Sequence, residues 1–244
     1  MPGFLEASFS KNHHVLPGII KELWQARDEA KQDCDTTGSQ AIKIIMNSFY
    51  GVLGTPGCRF FDPRLASSIT MRGHEILQKT KGLIEGQGHP VIYGDTNSVF
   101  VLLDQVEGKV QAAGARLAGY LNSWWASELK NRYYIPCYLD VEFEAHLERF
   151  FMPTIRGSEK GSKQRYAGMV RDRSGKAQLI FKGLESVRSD WSPLAREFQI
   201  ELYRRVFAGE SHLTHIKETA ERLLAGELDE KLSFRRRLRR KLND

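Results

Sequence analysis

The stretch VIYGDTNSVFVLL, residues 91–103, contains two short apolar runs on either side of a polar tip. The apolar runs carry the β-branched and aromatic residues that favour strands. The residues between them include glycine, aspartate and asparagine, which are typical of turns. This pattern predicts a β-hairpin whose tip presents one acid, Asp95, and one amide, Asn97. An ordinary turn accounts for both side chains, so a functional interpretation needs support from the rest of the chain.

The composition is that of an ordinary folded protein. The 244 residues are 41% hydrophobic and 27% charged, which argues against a disordered chain and allows one large or two small domains. The 36 Lys and Arg residues exceed the 30 Asp and Glu residues, as a protein with an anionic partner would show. The stretch RRRLRRK, 235–241, is strongly basic. It is either a solvated helix face or a phosphate-binding tail.

Cysteine usage and hydropathy argue against two further classes of protein. The three cysteines, Cys34, Cys58 and Cys137, are too few and too scattered for a disulfide framework or a cysteine-based zinc site. This usage predicts a reducing, cytoplasmic compartment. The sequence contains no run of about 18 apolar residues and no signal-peptide pattern, so it predicts neither a membrane partner nor secretion.

Hydrophobic periodicity predicts helices, then a mixed middle region, then helices again. Two amphipathic helices, 16–33 and 39–54, are joined by roughly five to seven residues and form an antiparallel hairpin. This order indicates an α+β fold rather than repeated βαβ units. The other predicted elements are a helix over 64–86, the hairpin within 90–103, a helix near 107–131, strands over 138–152, 163–172 and 177–185, and helices over 192–208 and 211–225.

Residue spacing on the first two predicted helices places cations on common faces. Arg27 and Lys31 are four residues apart on the first helix. On the second helix, Lys43 lies four residues before Asn47 and seven before Tyr50. An antiparallel hairpin can direct the three cations at one anion, as a triphosphate requires. Cations on solvated helix faces are also common, so both interpretations stay open on spacing alone.

Four short motifs follow one another along the chain. KIIMNSFYG (43–51) resembles the K-x-x-x-N-S-x-Y-G motif of family B DNA polymerases, and YGDTNS (93–98) resembles their Y-G-D-T-D-S motif with one substitution. KQRYAG (163–168) is similar to their K-K-R-Y motif, and KGLESVRSDW (182–191) to their K-G-x-E-x-V-R-x-D-W element. The resemblance covers nearly the whole chain, which is identified by it as a member of that family.

The resemblance implies an architecture and a set of ligands. The implied fold is α+β, with a polymerase palm sheet, a helical-hairpin fingers subdomain and the first helices of a thumb. The implied boundaries are 1–57 for the fingers, 58–190 for the palm and 191–244 for the start of the thumb with its basic tail. The implied substrates are primer-template DNA and a deoxynucleoside triphosphate, and the implied cofactor is Mg²⁺ in a two-metal site.

The resemblance also assigns roles to single positions. In the fingers, the residues that would bind the phosphates and line the nascent base pair are Arg27, Lys31, Lys43, Asn47 and Tyr50. The residues that would hold primer and template are Lys163, Arg165, Tyr166, Lys182, Arg188 and Asp190. The metal ligands would be Asp95 at the hairpin tip and Asp140 and Glu142 on an adjacent palm strand, with Asn97 at a substituted ligand position.

Two departures from the family pattern bear on activity. Asn97 stands where the family has a metal-bridging acid, and an amide brings no charge to a divalent ion. The family's other catalytic acid lies in a D-x-x-S-L-Y-P motif, which does not occur in these 244 residues. The resemblance therefore implies a chain that begins just before the fingers, lacks the first palm strand and the exonuclease domain, and ends within the thumb.

Three hypotheses stay open from the sequence. The chain is a fragment or subunit of a family B polymerase that is inactive alone and works only with a complementary chain carrying the exonuclease domain and the first palm motif. Alternatively, it is a non-catalytic nucleic-acid-binding remnant, or an excised fragment or pseudogene product without a function of its own. Intact Lys43, Asn47, Tyr50 and Lys182 favour the first hypothesis, and Asn97 favours the second. The abrupt ends favour the third.

Overall fold

A computed structural model of the protein describes residues 2–103, 110–154, 157, 161–162, 164–172 and 174–235. These ranges contain six α-helices and five short β-strands. The chain divides into two compact units, Met1–Glu142 and Phe143–Asp244. The mixture of helices with small antiparallel sheets agrees with the predicted α+β class. The threefold division at residues 57 and 190 stays a prediction.

The first unit begins with two helices that pack against each other, α1 (Leu16–Gln32) and α2 (Thr36–Leu53). α1 agrees with its predicted range, but α2 begins before the predicted residue 39. The reason is a cap, because the Asp35 carboxylate accepts a hydrogen bond from the Gly38 N–H at 2.9 Å. Residues 33–35 alone therefore join the two helices, a shorter connection than predicted.

The β-hairpin predicted within residues 90–103 forms beside the third helix. α3 (Pro63–Gly86) packs on β1 (Val91–Asp95) and β2 (Ser98–Val101). The two strands pair antiparallel with Asp95 opposite Ser98, so two residues form the tip between them. The predicted helix over 64–86 and the predicted hairpin are both confirmed.

A fourth helix completes the core of the first unit. α4 (Val110–Glu128) continues into a π-helical turn, Leu129–Tyr133, while the predicted start at 107 lies outside the described residues. Trp125 of α4 is 6% exposed and donates its Nε1–H to the Thr80 hydroxyl of α3 at 3.1 Å. Ile84 of α3 is fully buried. The apolar faces of α3 and α4 thus supply the core, as their amphipathic patterns require.

The predicted strand over 138–152 is wrong for most of its length. Only β3 (Arg149–Phe151) forms there, although exposure alternates from residue to residue over 133–143, as it does in a strand. Alternating exposure shows that side chains point in alternate directions, but a strand also needs a neighbouring backbone to pair with. The sequence pattern records the first condition and not the second.

A side chain of α4 takes the place of a neighbouring strand in this segment. Asn122 accepts a hydrogen bond from the Val141 N–H at 2.8 Å and donates to the Val141 carbonyl at 3.0 Å. These two bonds satisfy the backbone of one residue without a ladder. Asp140 and Glu142 flank Val141, so the prediction that they lie on a palm strand is wrong.

The second unit contains a three-stranded antiparallel sheet in the order β3, β4, β5. β4 (Tyr166–Arg171) and β5 (Ala177–Lys182) form a hairpin within the predicted strands 163–172 and 177–185. The described strands thus make two separate sheets, β1–β2 and β3–β5. The palm sheet implied over 58–190 is therefore not formed as one sheet among the described strands.

Two helices follow this sheet, α5 (Pro193–Ala208) and α6 (Leu213–Leu224), in agreement with the predicted ranges. Tyr203 of α5 places its ring 5.5 Å from that of Phe151 and 5.7 Å from that of Phe181. These are ordinary distances for packed aromatic pairs, so α5 lies against the sheet through aromatic side chains. None of the helices in the described ranges has the length and apolar run needed to cross a bilayer.

Candidate functional site

The hairpin tip places Asp95 beside Asn97 with different exposure. Asp95 is half-buried, and its Oδ1 accepts hydrogen bonds from the Thr96 N–H at 2.7 Å and the Thr96 hydroxyl at 3.2 Å. Asn97 is exposed. One oxygen of Asp95 therefore closes the turn, as aspartate commonly does at such positions.

The predicted metal ligands do not form a complete site. Within the described residues, no three or more His, Cys, Asp or Glu side chains form a group that could hold a metal ion. Asp140 is instead contacted by the Asn122 amide, at 3.2 Å. A two-metal centre needs bridging carboxylates, and Asn97 supplies only a neutral amide oxygen. The residues present do not fit a two-metal Mg²⁺ centre, and the roles of Asp95, Asp140 and Glu142 as ligands stay a prediction.

Helices α1 and α2 carry the cations that are predicted to bind nucleotide phosphates. Arg27 is half-buried, and its Nε has no hydrogen-bond partner among the described residues. Lys31 is exposed and pairs with Asp28 of its own helix at 2.9 Å. Lys43 is also exposed, and it forms no ion pair within the part of the chain that the structure describes. Of these cations, Lys43 is thus an exposed charge without an ion pair among the described residues.

The remaining two residues of the predicted nucleotide set also lie on α2. Asn47 is exposed. Tyr50 is 49% exposed, and its hydroxyl lies 2.6 Å from the Thr70 hydroxyl of α3. Thr70 donates its own proton to the Ala66 carbonyl at 3.0 Å, so Tyr50 is the donor to Thr70. This bond joins α2 to α3 and fixes the outer end of the Tyr50 ring.

The second unit brings together three of the residues predicted to bind DNA. Tyr166 and Lys182 face each other across β4 and β5, and the Lys182 Nζ lies 5.9 Å from the centre of the Tyr166 ring. This distance is within the range of a cation–π contact. Arg165 precedes Tyr166 and forms an ion pair with Glu185. Lys163 lies outside the described residues.

Glu185, which is not among the predicted DNA contacts, connects these residues to helix α5. Its Oε2 accepts a hydrogen bond from Gln199 Nε2 at 2.8 Å, and Gln199 Oε1 accepts one from the Ser186 N–H at 2.6 Å. Burial raises the pKa of Glu185. The Gln199 hydrogen bond and the nearby Arg165 charge lower the pKa by more than burial raises it, so it lies below the usual value. We call Arg165, Tyr166, Lys182, Glu185 and Gln199 the Arg165 cluster.

A sequence signal for Glu185 did exist. It stands three residues after Lys182 in KGLESVRSDW, as an acid between the cations Lys182 and Arg188. An acid in a phosphate-binding surface is unfavourable unless it has a cationic partner. That conflict predicts a partner for Glu185 but does not identify it, because Arg165 is distant in sequence.

A close approach of two chain segments sets the geometry of the Arg165 cluster. Gly183 has a φ of +63°, and a Cβ at this position would overlap the Gln164 carbonyl oxygen. Glycine is therefore required at this position in KGLE. Leu184, the next residue, is 1% exposed and anchors the turn after β5. The two motifs are thus held together by backbone contact and by a buried side chain.

Arg188 and Asp190 form a separate pair. The Arg188 guanidinium donates from Nε and Nη2 to the two Asp190 oxygens at 2.9 and 2.7 Å. These bonds raise the pKa of Arg188 above its usual value. This bidentate geometry resembles the way guanidinium binds phosphate, with Asp190 in the place of the anion.

Known proteins match nearly the whole of this chain. A family model described as DNA polymerase family B matches residues 7–241. This chain belongs to the family B DNA polymerases. The motifs favour the bacterial DNA polymerase II branch, and 53% identity over 99% of the chain to DNA polymerase II of Escherichia coli (strain K12) confirms it.

More distant relatives show the same family. The chain is 25% identical over 91% of its length to DNA polymerase 1 of Pyrococcus abyssi and covers 26% of that protein. It is 30% identical over 83% of its length to the DNA polymerase alpha catalytic subunit of Oryza sativa subsp. japonica and covers 13% of it. The chain covers 31% of the Escherichia coli protein, so it spans only a minor part of each of these relatives.

Proposed function

We propose that this chain is a segment of a family B DNA polymerase that binds primer-template DNA and a deoxynucleoside triphosphate but does not extend a primer by itself. The observation that carries the proposal is the Arg165 cluster. Two motifs of the family, KQRY and KGLE, meet there and present Arg165 and Lys182 near the surface. Family membership supplies the substrate class, and the whole protein's activity is carried over as a proposal.

DNA is proposed to contact the cationic side of the second unit. Lys182 is exposed, and the Arg165 side chain is 41% exposed, so both have access to a phosphate. Such contacts hold the backbone without reading the sequence. The Tyr166 ring contacts the Lys182 ammonium group in a cation–π interaction. Further contacts are proposed for Lys163, Arg188, Asp190 and the basic stretch 235–241, of which Lys163 and residues 236–241 lie outside the described residues.

The deoxynucleotide is proposed to bind the hairpin of α1 and α2, which correspond to the fingers. Lys43 supports this because its charge is exposed and forms no ion pair among the described residues. Arg27 supports it because its Nε is a buried hydrogen-bond donor on α1 that has no acceptor among the described residues. Lys31, Asn47 and Tyr50 complete the proposed set. Phosphoryl transfer depends mainly on positioning and charge neutralisation, which are the tasks of such residues.

The absence of primer extension is proposed from the incomplete metal centre. Asn97 brings no charge to the hairpin tip, and the first palm motif, D-x-x-S-L-Y-P, does not occur in these 244 residues. If metal stabilisation of the transition state is worth several kcal/mol, its loss slows the reaction by roughly 10³-fold or more. A complementary polymerase chain that carries D-x-x-S-L-Y-P and the exonuclease domain is the proposed partner. No catalytic step is assigned to this chain alone.

DNA binding is tested by fluorescence anisotropy on a labelled primer-template duplex at increasing salt concentration. Each neutralised phosphate releases counterions, so affinity should fall steeply between low and moderate salt. Two duplexes of unrelated sequence should bind equally well. An affinity that barely changes with salt, or a strong preference for one duplex, would contradict the proposal.

Primer extension is tested with Mg²⁺ on four samples: the unmodified chain and the Asn97→Asp variant, each with and without a polypeptide bearing D-x-x-S-L-Y-P. We expect extension only from the variant with the added polypeptide, because two metals need acids from both segments. Robust extension by the unmodified chain alone would refute the proposed role of Asn97 and of the missing motif.

The second candidate function is a non-catalytic nucleic-acid-binding protein. It is favoured by Asn97 and by the lack of a metal-binding group among the described residues. This candidate predicts the same salt-dependent DNA binding. It differs in the extension assay, where Asn97→Asp with the added polypeptide should stay inactive.

A further inference from the structure

We propose that Glu185 and Gln199 are positioning residues, through which helix α5 fixes the guanidinium of Arg165 for contact with the DNA backbone. This inference rests on the proposed function, since it assigns two further residues to the DNA-binding side of the second unit. Neither residue is one of the predicted contacts. Both belong to the Arg165 cluster, and neither is required to touch DNA.

The ion pair controls one end of the guanidinium. Arg165 Nη2 pairs with Glu185 Oε1, while Nε is buried and has no partner among the described residues. The planar group is therefore held at one edge, while 41% of the side chain stays exposed. A guanidinium has five donors in a fixed plane, so holding one edge sets the direction of the others. A phosphate can then bind without the cost in rotamer entropy of ordering a long, free side chain.

Glu185 is itself held at both oxygens. Its side chain is 17% exposed, with Arg165 at Oε1 and Gln199 Nε2 at Oε2. The orientation of the Gln199 amide is fixed in turn, because its Oε1 accepts the Ser186 N–H. A series of directed hydrogen bonds therefore runs from the backbone after β5, through a side chain of α5, to Arg165. Each donor in this series faces an acceptor.

An amide at position 185 would interrupt this series. The Glu185→Gln side chain has nearly the same shape but presents one oxygen and one NH₂ group. If the oxygen faces Arg165, the NH₂ group faces the Gln199 donor, and two donors oppose each other. If the oxygen faces Gln199, Arg165 loses its acceptor. In both orientations the charge-assisted bond to Arg165 is weakened or lost.

This arrangement predicts an effect opposite to that of simple electrostatics. Removing any carboxylate near a DNA surface should strengthen binding, because it reduces repulsion. If Glu185 positions Arg165, its removal should weaken binding instead. Glu201 of α5 is a matched control, because its carboxylate pairs with Arg204 and Arg205 rather than with the Arg165 cluster. Glu201→Gln removes the same charge from the same unit.

The experiment measures the dissociation constant of the full chain for a labelled primer-template duplex. The variants are Glu185→Gln, Gln199→Ala and Arg165→Ala, together with each of the first two in the Arg165→Ala background. The controls are Glu201→Gln and Gln178→Ala, whose amide bonds to Asp172 outside the cluster. Circular dichroism and the unfolding temperature show that each variant is folded. Gln199→Ala keeps the test decisive if Glu185→Gln does not fold.

We expect Glu185→Gln and Gln199→Ala each to weaken binding by about five- to tenfold, less than the loss of a whole charge-assisted hydrogen bond, because Arg165 keeps its charge and loses only its fixed orientation. Glu201→Gln should bind equally or more tightly, and Gln178→Ala should be unchanged. In the Arg165→Ala background, neither cluster variant should weaken binding further, which a merely structural role would not produce. Tighter binding by Glu185→Gln, or equal weakening with and without Arg165, would overturn the inference. No DNA binding by the unmodified chain would instead overturn the proposed function on which it rests.

Discussion

The hairpin of α1 and α2 and the Arg165 cluster carry their cations in different ways. On the hairpin, α1 buries no described residue and α2 buries only Leu53. Its exposed cation Lys43 forms no ion pair within the described ranges. In the cluster, Arg165 is held by Glu185 and the adjoining Leu184 is fully buried.

The difference lies in what positions the charge. On the hairpin, helical spacing alone determines which side chains share a face, and the side chains themselves keep their rotamer freedom. In the cluster, tertiary hydrogen bonds fix a side chain before a ligand arrives. Preorganised groups lose less entropy on binding. We therefore expect the hairpin to respond to changes of charge and the cluster to changes of packing.

The largest expected effect tests the difference in packing. Leu184→Ala removes a fully buried side chain beside the cluster and should lower the free energy of unfolding by about 2–5 kcal/mol. Ile44→Ala on α2 is the control, because Ile44 is 59% exposed and should change stability little. Urea denaturation followed by circular dichroism measures both. An equal loss for Ile44→Ala would show that the apolar face of the hairpin is covered.

A smaller effect is expected from the exposed charge on α2. Lys43→Ala should weaken binding of a deoxynucleoside triphosphate by about ten- to a hundredfold, because charge-assisted hydrogen bonds to phosphate are worth about 1.5–3 kcal/mol. Lys21→Ala on α1 removes the same exposed charge from the same hairpin and should change affinity little. Isothermal titration calorimetry measures both. Similar losses for the two lysines would indicate a general attraction to anions rather than a site.

The bond between α2 and α3 offers a more moderate test. Tyr50→Phe deletes the hydroxyl that donates to Thr70 and should lower the free energy of unfolding by about 0.5–1.5 kcal/mol. Tyr138→Phe is the control, since that ring is 85% exposed. Thermal unfolding measures both changes. If Tyr50→Phe has no effect, this bond does not stabilise the packing of α2 on α3.

The smallest expected effect is a pH dependence on α5. Hydrogen bonds from Arg204 and Arg205 lower the pKa of Glu201 from 4.5 to about 2. A lowered carboxyl pKa contributes stability above its unfolded value, and this stability is lost as pH falls toward the folded value. Glu201→Gln should therefore lower the unfolding temperature slightly at neutral pH, because exposed ion pairs contribute little.

The pH range supplies the control for this last prediction. The difference between the unmodified chain and Glu201→Gln should shrink as pH falls from 4.5 to about 2. Glu218→Gln on α6 is the control and should change the unfolding temperature little at neutral pH, because Glu218 forms no ion pair within the described part of the chain. A constant difference across this pH range would show that Glu201 does not act through its charge.

Local patterns predicted the helices and the hairpin well. The apolar stripe of α1 and the proline in its first turn define its start from sequence alone. The turn residues around Asp95 likewise define the β1–β2 hairpin. The pattern predicts the start of α2 at residue 39, whereas the helix begins at Thr36, directly after its cap Asp35. That signal is local and could be found from the sequence.

Partners distant in sequence could not be predicted in the same way. The period-2 pattern around Asp140 predicted a strand, but a strand depends on a neighbour that the pattern does not contain. The pairing of Arg165 with Glu185 depends on the close approach of Gln164 and Gly183, which only the folded chain shows. The candidate site was thus predictable in its residue types and motifs, and not in its contacts.

The two hydrogen bonds between Asn122 and Val141 have a consequence for amide hydrogen exchange. In the segment from Cys137 to Leu147, the Val141 N–H donates a hydrogen bond to Asn122. No other backbone N–H of this segment has an acceptor among the described residues. In heavy water, this amide should exchange slowly while its neighbours exchange at close to solvent rates. Its protection factor therefore reports, at a single residue, whether the backbone between the carboxylates of Asp140 and Glu142 is held in place.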